Sequence, residues 1–371
     1  MAFFVLFCKN ATLKFTSDNS VILKGWYKMH IPDGYLSLQT SLPAVGVMLP
    51  VWSVALSKIK KTLNFRQIPL LSLCAAFSFV IMMFNIPIGP SSVHAVGAVF
   101  VAILLGPWAA CISISVALII QAVVFGDGGI LAIGINSFNM AFAMPFAGYF
   151  IYRLVAGKSG IGSKRSMVGV FAGSYFGLNL AALLTAIEFG IQPLLFKTAE
   201  GLPEFGFYPL SVSIPVIMLE HLFVAGPLEG IVTMAAISYL VKFNPQLFEK
   251  AASLTTESAG ISVFRQYKAF ILGIAVLVIL APLGLISTGT AWGEWGTDEI
   301  QAMVGYVPSG LDRLSQVWQA ALPDYSVPGL KEGFLHSSMG YILSAVVGIV
   351  FICVIMFVSS RFVSKKDTKV D

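Results

Sequence analysis

About nine apolar stretches, joined by polar loops, dominate this chain of 371 residues. They fall near Leu42–Leu56, Ile68–Phe84, Val93–Leu105, Trp108–Phe125, Asn136–Leu154, Met167–Ile187, Val212–Val241, Ala269–Ser287 and Tyr341–Ser359. A helix crosses the hydrocarbon core of a bilayer with about 20 residues. In lipid its backbone polar groups must be satisfied within the segment, which leaves helices as the solution for runs of this length. Hydrophobic residues make up 57% of the chain and charged residues 11%, more apolar surface than a soluble fold can bury. The expected fold class is therefore an all-α polytopic membrane protein. Val93–Leu105 is short for a full crossing and reads as tilted or set beside thinner bilayer. Of the four cysteines, Cys74, Cys111 and Cys353 lie inside apolar runs and read as packed thiols rather than metal ligands or disulfides.

The cations order the loops. Lys58, Lys60, Lys61 and Arg66 follow the first stretch. Arg153, Lys158, Lys164 and Arg165 follow the fifth, Lys242, Lys250, Arg265 and Lys268 the seventh, and Arg361, Lys365, Lys366 and Lys369 the last. The loops between them carry acids: Asp127, then Glu188, Glu200 and Glu204, then Glu294, Asp298 and Glu299. The positive-inside rule puts the basic loops and the C-terminus in the cytoplasm. It puts the segment "YKMHIPDGYLS", with Met29 and His30, outside, together with the loop "NIPIGPSSVHA" that ends at His94. Residues 1–28 fit neither a signal peptide nor a span, and their lysines fall on the outer side. Translation is expected to start at Met29.

With Met29 first, its free α-amine, the backbone nitrogen of His30 and the Nδ1 of the His30 imidazole form two fused chelate rings. One further imidazole completes a square of nitrogens, a donor set for late first-row divalent metals, Ni²⁺ and Cu²⁺ above all, with Co²⁺ accommodated. His94 is the other histidine that the topology brings to that side. The bland alternative is that both are interfacial side chains. In "FGDGGILAIGINSFNM", Gly126, Gly128 and Gly129 permit a tight loop, and Asp127, Asn136 and Asn139 can tie it by side-chain bonds to backbone. With Asp33 they are expected to form a lid or outer shell on the metal site. Glu220 and His221 lie about ten residues into the seventh stretch, where ionisable groups are costly and usually functional. They read as a buried hydrogen-bonded pair or, in a different kind of protein, as a proton relay. Gly169, Gly173 and Gly177 repeat every four residues and mark a close helix–helix contact. "GKSGIGSKRS" has serine at Ser163 where a phosphate loop needs lysine, and it follows a span rather than a strand. No HExxH or nucleophile–base pair appears, so an enzyme is not expected.

"MHIPDGYLS", "SFVIMMFNIPI", "HAVGAVFVAILLGPWAA", "FGDGGILAIGINSFNMA", "GIQP" and "EHLFVAGPLEG" resemble the signature blocks of the CbiM/NikM family. These are the substrate-capture components of energy-coupling-factor (ECF) transporters for cobalt and nickel. The resemblance covers Met29 to about Lys242. It implies a seven-helix bundle and a metal site on Met29, His30 and His94, with no permanently bound cofactor: Co²⁺ or Ni²⁺ is cargo. It also implies a coupling transmembrane (T) subunit and separate ATPase subunits in a prokaryotic cell membrane, serving cobalamin biosynthesis or nickel enzymes. The family's chains begin at the "MH" of the first block, and retaining residues 1–28 would remove the amine ligand. Residues 267–371 hold two further spans around an external loop and resemble the family's small N component, fused here. "PSGLD" at Pro308–Asp312 departs at two positions from that component's "PDGLE" stretch. The expected order is extension 1–28, capture domain 29–243, cytoplasmic linker 244–266 and accessory region 267–371. The accessory loop is expected over the metal site, with His336 as a transient ligand at most. The competing function is a proton-coupled secondary transporter using Glu220 and His221.

Overall fold

The computed structural model describes residues 30–62, 68–89, 91–249, 263–287, 289–327, 329 and 333–363. Met29 and the rest of 1–29 lie outside the described residues, as does most of the linker. Each of the nine apolar stretches contains helix. In the capture domain these are α1 (Leu38–Thr62), α2 (Ile68–Met82), α3 (Ala98–Leu105), α4 (Pro107–Phe125), α5 (133–156), α6 (Lys164–Leu195) and α7 (Leu210–Phe243). The accessory region adds α8 (Val263–Leu280, continued as a 3₁₀ turn to Ile286), two short helices, α9 (Thr297–Val304) and α10 (Ser309–Ser315), and α11 (Phe334–Val363). The fold is all-α and polytopic, as expected, but fewer than nine of its described helices are long enough to cross a bilayer.

Six of these helices are long and apolar enough to cross a membrane: α1, α4, α6, α7, α8 and α11. Val93–Leu105 is not a crossing. Only eight of its residues are helical, Ala98–Leu105, and they are almost entirely buried. Gly97 at φ 73 opens this helix and Gly106 at φ 89 ends it against Pro107. Left-handed backbone is open to glycine and strained for other residues. The stretch is uniformly apolar because it lies inside the protein, not because it meets lipid.

The glycine stripe of α6 packs within the bundle. A Cβ on Gly169 would lie 3.1 Å from the Tyr152 carbonyl oxygen, and one on Gly173 would lie 3.1 Å from the Tyr152 nitrogen. The backbones of α5 and α6 therefore touch, as small residues allow. Large apolar side chains such as Phe150, Phe176, Phe223 and Ile279 are exposed on the outer helix faces, the surface that a bilayer covers. Cys353 is exposed on α11, unlike buried Cys74 and Cys111, because it falls on the outer face of its helix.

Two features lead to the site. β1 (Ile86–Ile88) and β2 (Ser91–Val93) pair antiparallel, Ile86 opposite Val93, and this hairpin delivers His94. Three helices contain π turns: Gln121–Phe125 before Asp127, Ser137–Ala143 after Asn136, and His221–Ala225. A π turn inserts one extra residue, bends the helix and recurs at functional sites.

Candidate metal centre

His30 and His94 meet. Their ring centroids are 5.1 Å apart and nearly perpendicular. Both line a cavity of about 80 Å³ with Asn136, Glu220, His221 and Glu294 among its walls. Residues 64 positions apart in sequence thus converge because the hairpin folds back beneath the N-terminal block.

The block "HIPDG" is tied to the glycine loop by its backbone. The Ile31 carbonyl accepts from the Gly129 N–H at 2.9 Å and from Asn136 Nδ2 at 3.1 Å. The Asp33 carboxylate accepts from the N–H groups of Ile130 (3.0 Å) and Leu131 (2.8 Å). Gly128 sits at φ +86, and a Cβ there would come within 3.0 Å of the His30 Cβ. The glycines are needed because the loop lies directly on the histidine.

The His30 ring is engaged as well. Its Nδ1 donates to Asp127 Oδ1 at 3.1 Å, and both side chains are about 1% exposed. Its Nε2 is buried without a hydrogen-bond partner. In a neutral imidazole one nitrogen carries the proton and the other the open lone pair. With Nδ1 donating to Asp127, Nδ1 has no lone pair free for a metal. For Nδ1 to bind a metal, as the chelate requires, Asp127 must let it go.

Asp127 is itself held by the accessory region. The Tyr325 hydroxyl donates to Asp127 Oδ2 at 2.6 Å, and Gln121 Nε2 donates to the Tyr325 oxygen at 2.9 Å. Burial, and then the Asp127 charge, push the Tyr325 phenol well above its ordinary pKa, so it remains a donor. Asp324 and Tyr325 both have positive φ, 52° and 57°. Aspartate tolerates this region, but for tyrosine it is an outlier costing about 1–3 kcal/mol that neighbouring contacts must offset.

Further contacts seat the accessory loop over the site. The Trp318 indole donates to the Val123 carbonyl at 3.0 Å, and the Leu322 N–H donates to the Val124 carbonyl at 2.9 Å. The Ser92 N–H, two residues before His94, donates to the Thr290 carbonyl at 3.1 Å. Tyr35 and Tyr208 donate to the carbonyls of Trp295 and Gly293, within an aromatic cluster that includes Trp292. In "PSGLD", Leu311 is buried with its backbone against Gly34, and the Gly310 N–H donates to the Glu204 carbonyl at 2.8 Å. His336 is not among the residues lining the cavity.

His94 is placed differently. Its Nδ1 donates to the Ala95 carbonyl at 3.1 Å. Behind it the fully buried Glu229 of α7 accepts the N–H groups of Val96 (2.7 Å) and Gly97 (2.9 Å). Nothing in the sequence around Glu229 signals this role. Glu220 accepts from Ser91 Oγ at 3.3 Å, and His221 Nδ1 donates to the Ile217 carbonyl of its own helix at 2.8 Å. Each of the two therefore has another partner, and both face the same cavity as His94. Asn139 does not line that cavity. Its amide donates to Thr185 Oγ1 (3.2 Å) and Glu188 Oε2 (2.8 Å), tying α5 to α6. Glu188 belongs to α6 rather than to an outer loop.

Among the described residues no group of three His, Cys, Asp or Glu side chains is arranged to hold a metal. The His30 and His94 imidazoles meet in the cavity, and Glu220, His221 and Glu294 are further groups on its walls.

The family model described as "Cobalt uptake substrate-specific transmembrane region" (CbiM) matches residues 30–247, and a PDGLE domain matches residues 266–365. The fused nickel transport protein NikMN of Rhodobacter capsulatus is 44% identical over 340 residues, covering 87% of this chain and 95% of that protein. The probable fused nickel transport protein LarMN of Lactiplantibacillus plantarum is 40% identical over 332 residues, covering 86% and 94%. A crystal structure of a transition metal transporter, 47% identical, superposes with a TM-score of 0.56 over 62% of this chain and 100% of its own.

Proposed function

This chain belongs to the CbiM family of cobalt uptake substrate-specific transmembrane regions, and from that premise we propose how it captures its cargo. It is a multi-pass membrane component of cobalt or nickel uptake, not an enzyme. In our reading it is the capture component of an ECF transporter. It works with a T subunit that spans the membrane and with separate ATPases, since the chain carries no nucleotide motif of its own. The metal arrives from outside and is bound by the Met29 amine, the His30 backbone nitrogen and Nδ1, and His94. That ligand set requires translation to begin at Met29.

The observation that carries the reading is the convergence of His30 and His94 on one small cavity, 5.1 Å apart. Asp33, Asp127 and Asn136 hold the N-terminal block and the glycine loop around His30. The accessory region closes over that side. Selection between Ni²⁺ and Co²⁺ is left to geometry, because both accept imidazole and amine nitrogens. Glu220 and His221 also line the cavity, which supports the competing reading of proton-coupled transport.

Titration of two purified forms with Ni²⁺ and Co²⁺ tests the site. The form starting at Met29 should bind one metal per chain, the form retaining residues 1–28 should bind far more weakly, and His94→Ala should abolish binding. Equal binding by both forms would remove the amine from the ligand set. Uptake into proteoliposomes driven by a proton gradient, without any ATPase, would favour the competing function.

A further inference from the structure

Resting on the reading above that Nδ1 of His30 is a metal ligand, we infer that Tyr325 is a positioning residue of the metal centre and that its hydrogen bond to Asp127 is a latch opposing metal capture. A nitrogen that donates a proton to a carboxylate has no lone pair for a metal. The state seen here, with Nδ1 bonded to Asp127, and the chelated state therefore exclude one another. Whatever keeps Asp127 in place favours the first.

Tyr325 does this from the accessory region, 198 residues away in sequence. Its hydroxyl donates to the oxygen of Asp127 that His30 does not use, so one carboxylate bridges the two domains. The tyrosine is fixed on every side. Its ring stacks on Phe125 at 4.8 Å, its carbonyl accepts from Ser344 Oγ at 2.8 Å, and its oxygen accepts from Gln121. Asp324 and Tyr325 both have positive φ, an unusual backbone for these residues at the point where the hydroxyl meets Asp127. Such strain persists only where the surroundings over-determine it, and it clusters at switches.

The coupling is reciprocal. Seating the loop on Asp127 weakens the hold of His30 on a metal, and a metal that takes Nδ1 releases Asp127 and loosens the loop. The accessory region thereby senses whether the site is filled.

Tyr325→Phe keeps the ring and its stacking and removes only the hydroxyl. Wild-type and Y325F full chains in lipid nanodiscs, and the same pair starting at Met29, would be titrated with Ni²⁺. Hydrogen exchange of residues 318–326 would be followed with and without metal. Y325F should bind Ni²⁺ about threefold to tenfold more tightly, the worth of one modest hydrogen bond. Its segment should exchange faster without metal, and Ni²⁺ should produce the same acceleration in the wild type. Unchanged affinity, or unchanged metal-free exchange, overturns the latch. Weaker binding overturns it too and assigns Asp127 and Tyr325 as supports of a ring that binds metal through Nε2. If no wild-type form binds Ni²⁺, the metal reading fails and the latch falls with it, while the metal-free exchange still shows separately whether the Tyr325 hydroxyl holds the loop on Asp127.

Discussion

The two histidines share one cavity, but the rings answer to different partners. His30 is held through its ring, by a carboxylate that answers to a tyrosine of another domain. The His94 ring donates to the neighbouring Ala95 carbonyl, and behind it a buried glutamate grips the peptide groups of Val96 and Gly97. A ring bond is exchanged by turning one torsion. A pair of buried backbone bonds is not exchanged without opening the fold. In our reading the backbones on both sides are fixed, since the Ile31 carbonyl is also held by two bonds, and the His30 ring is the part that must exchange its partner to take a metal.

Glu229→Ala is the strongest way to break this contrast. It leaves the N–H groups of Val96 and Gly97 buried without an acceptor, at about 1–3 kcal/mol each. We expect a marked drop in melting temperature and loss of Ni²⁺ binding by about 100-fold or more, measured on protein in nanodiscs. A variant that kept both would mean that His94 needs no such support. Gly128→Ala attacks the other half. Its Cβ would press on the His30 Cβ, and alanine resists φ +86. The expected cost is about 1–3 kcal/mol of local strain, with Ni²⁺ affinity down about tenfold and melting far less affected than in Glu229→Ala.

Much of this arrangement is legible in the sequence. The helices follow from apolar runs, and charge placement groups His30 and His94 on one side of the chain's spans, where the structure brings them together. Asp33, Asp127 and Asn136 stand out as loop-tying residues beside glycines. What escapes is pairing at a distance. Asp127 lies 97 residues from His30 and Tyr325 lies 198 from Asp127, with no periodicity or motif to connect them. Val93–Leu105 misleads because uniform apolarity describes a helix in lipid and a helix inside protein equally well. The π turns beside Asp127, Asn136 and His221 leave no residue pattern legible in the sequence.

Asn139 gives the mildest test and the sharpest control. It is one of the polar residues of the glycine-loop block, three positions from Asn136, and sequence alone groups the two. The structure separates them. Asn136 holds the Ile31 carbonyl beside His30, while Asn139 reaches Thr185 and Glu188 on α6. Its Oδ1 has no hydrogen-bond partner, so the side chain is only half used. Asn139→Ala should therefore lower stability by about 1 kcal/mol and change Ni²⁺ affinity by less than about twofold, read by thermal unfolding and titration of the same sample. A large loss of affinity without a loss of stability would place Asn139 in the His30 half after all. The boundary between the two halves would then run through α6 rather than along the glycine loop.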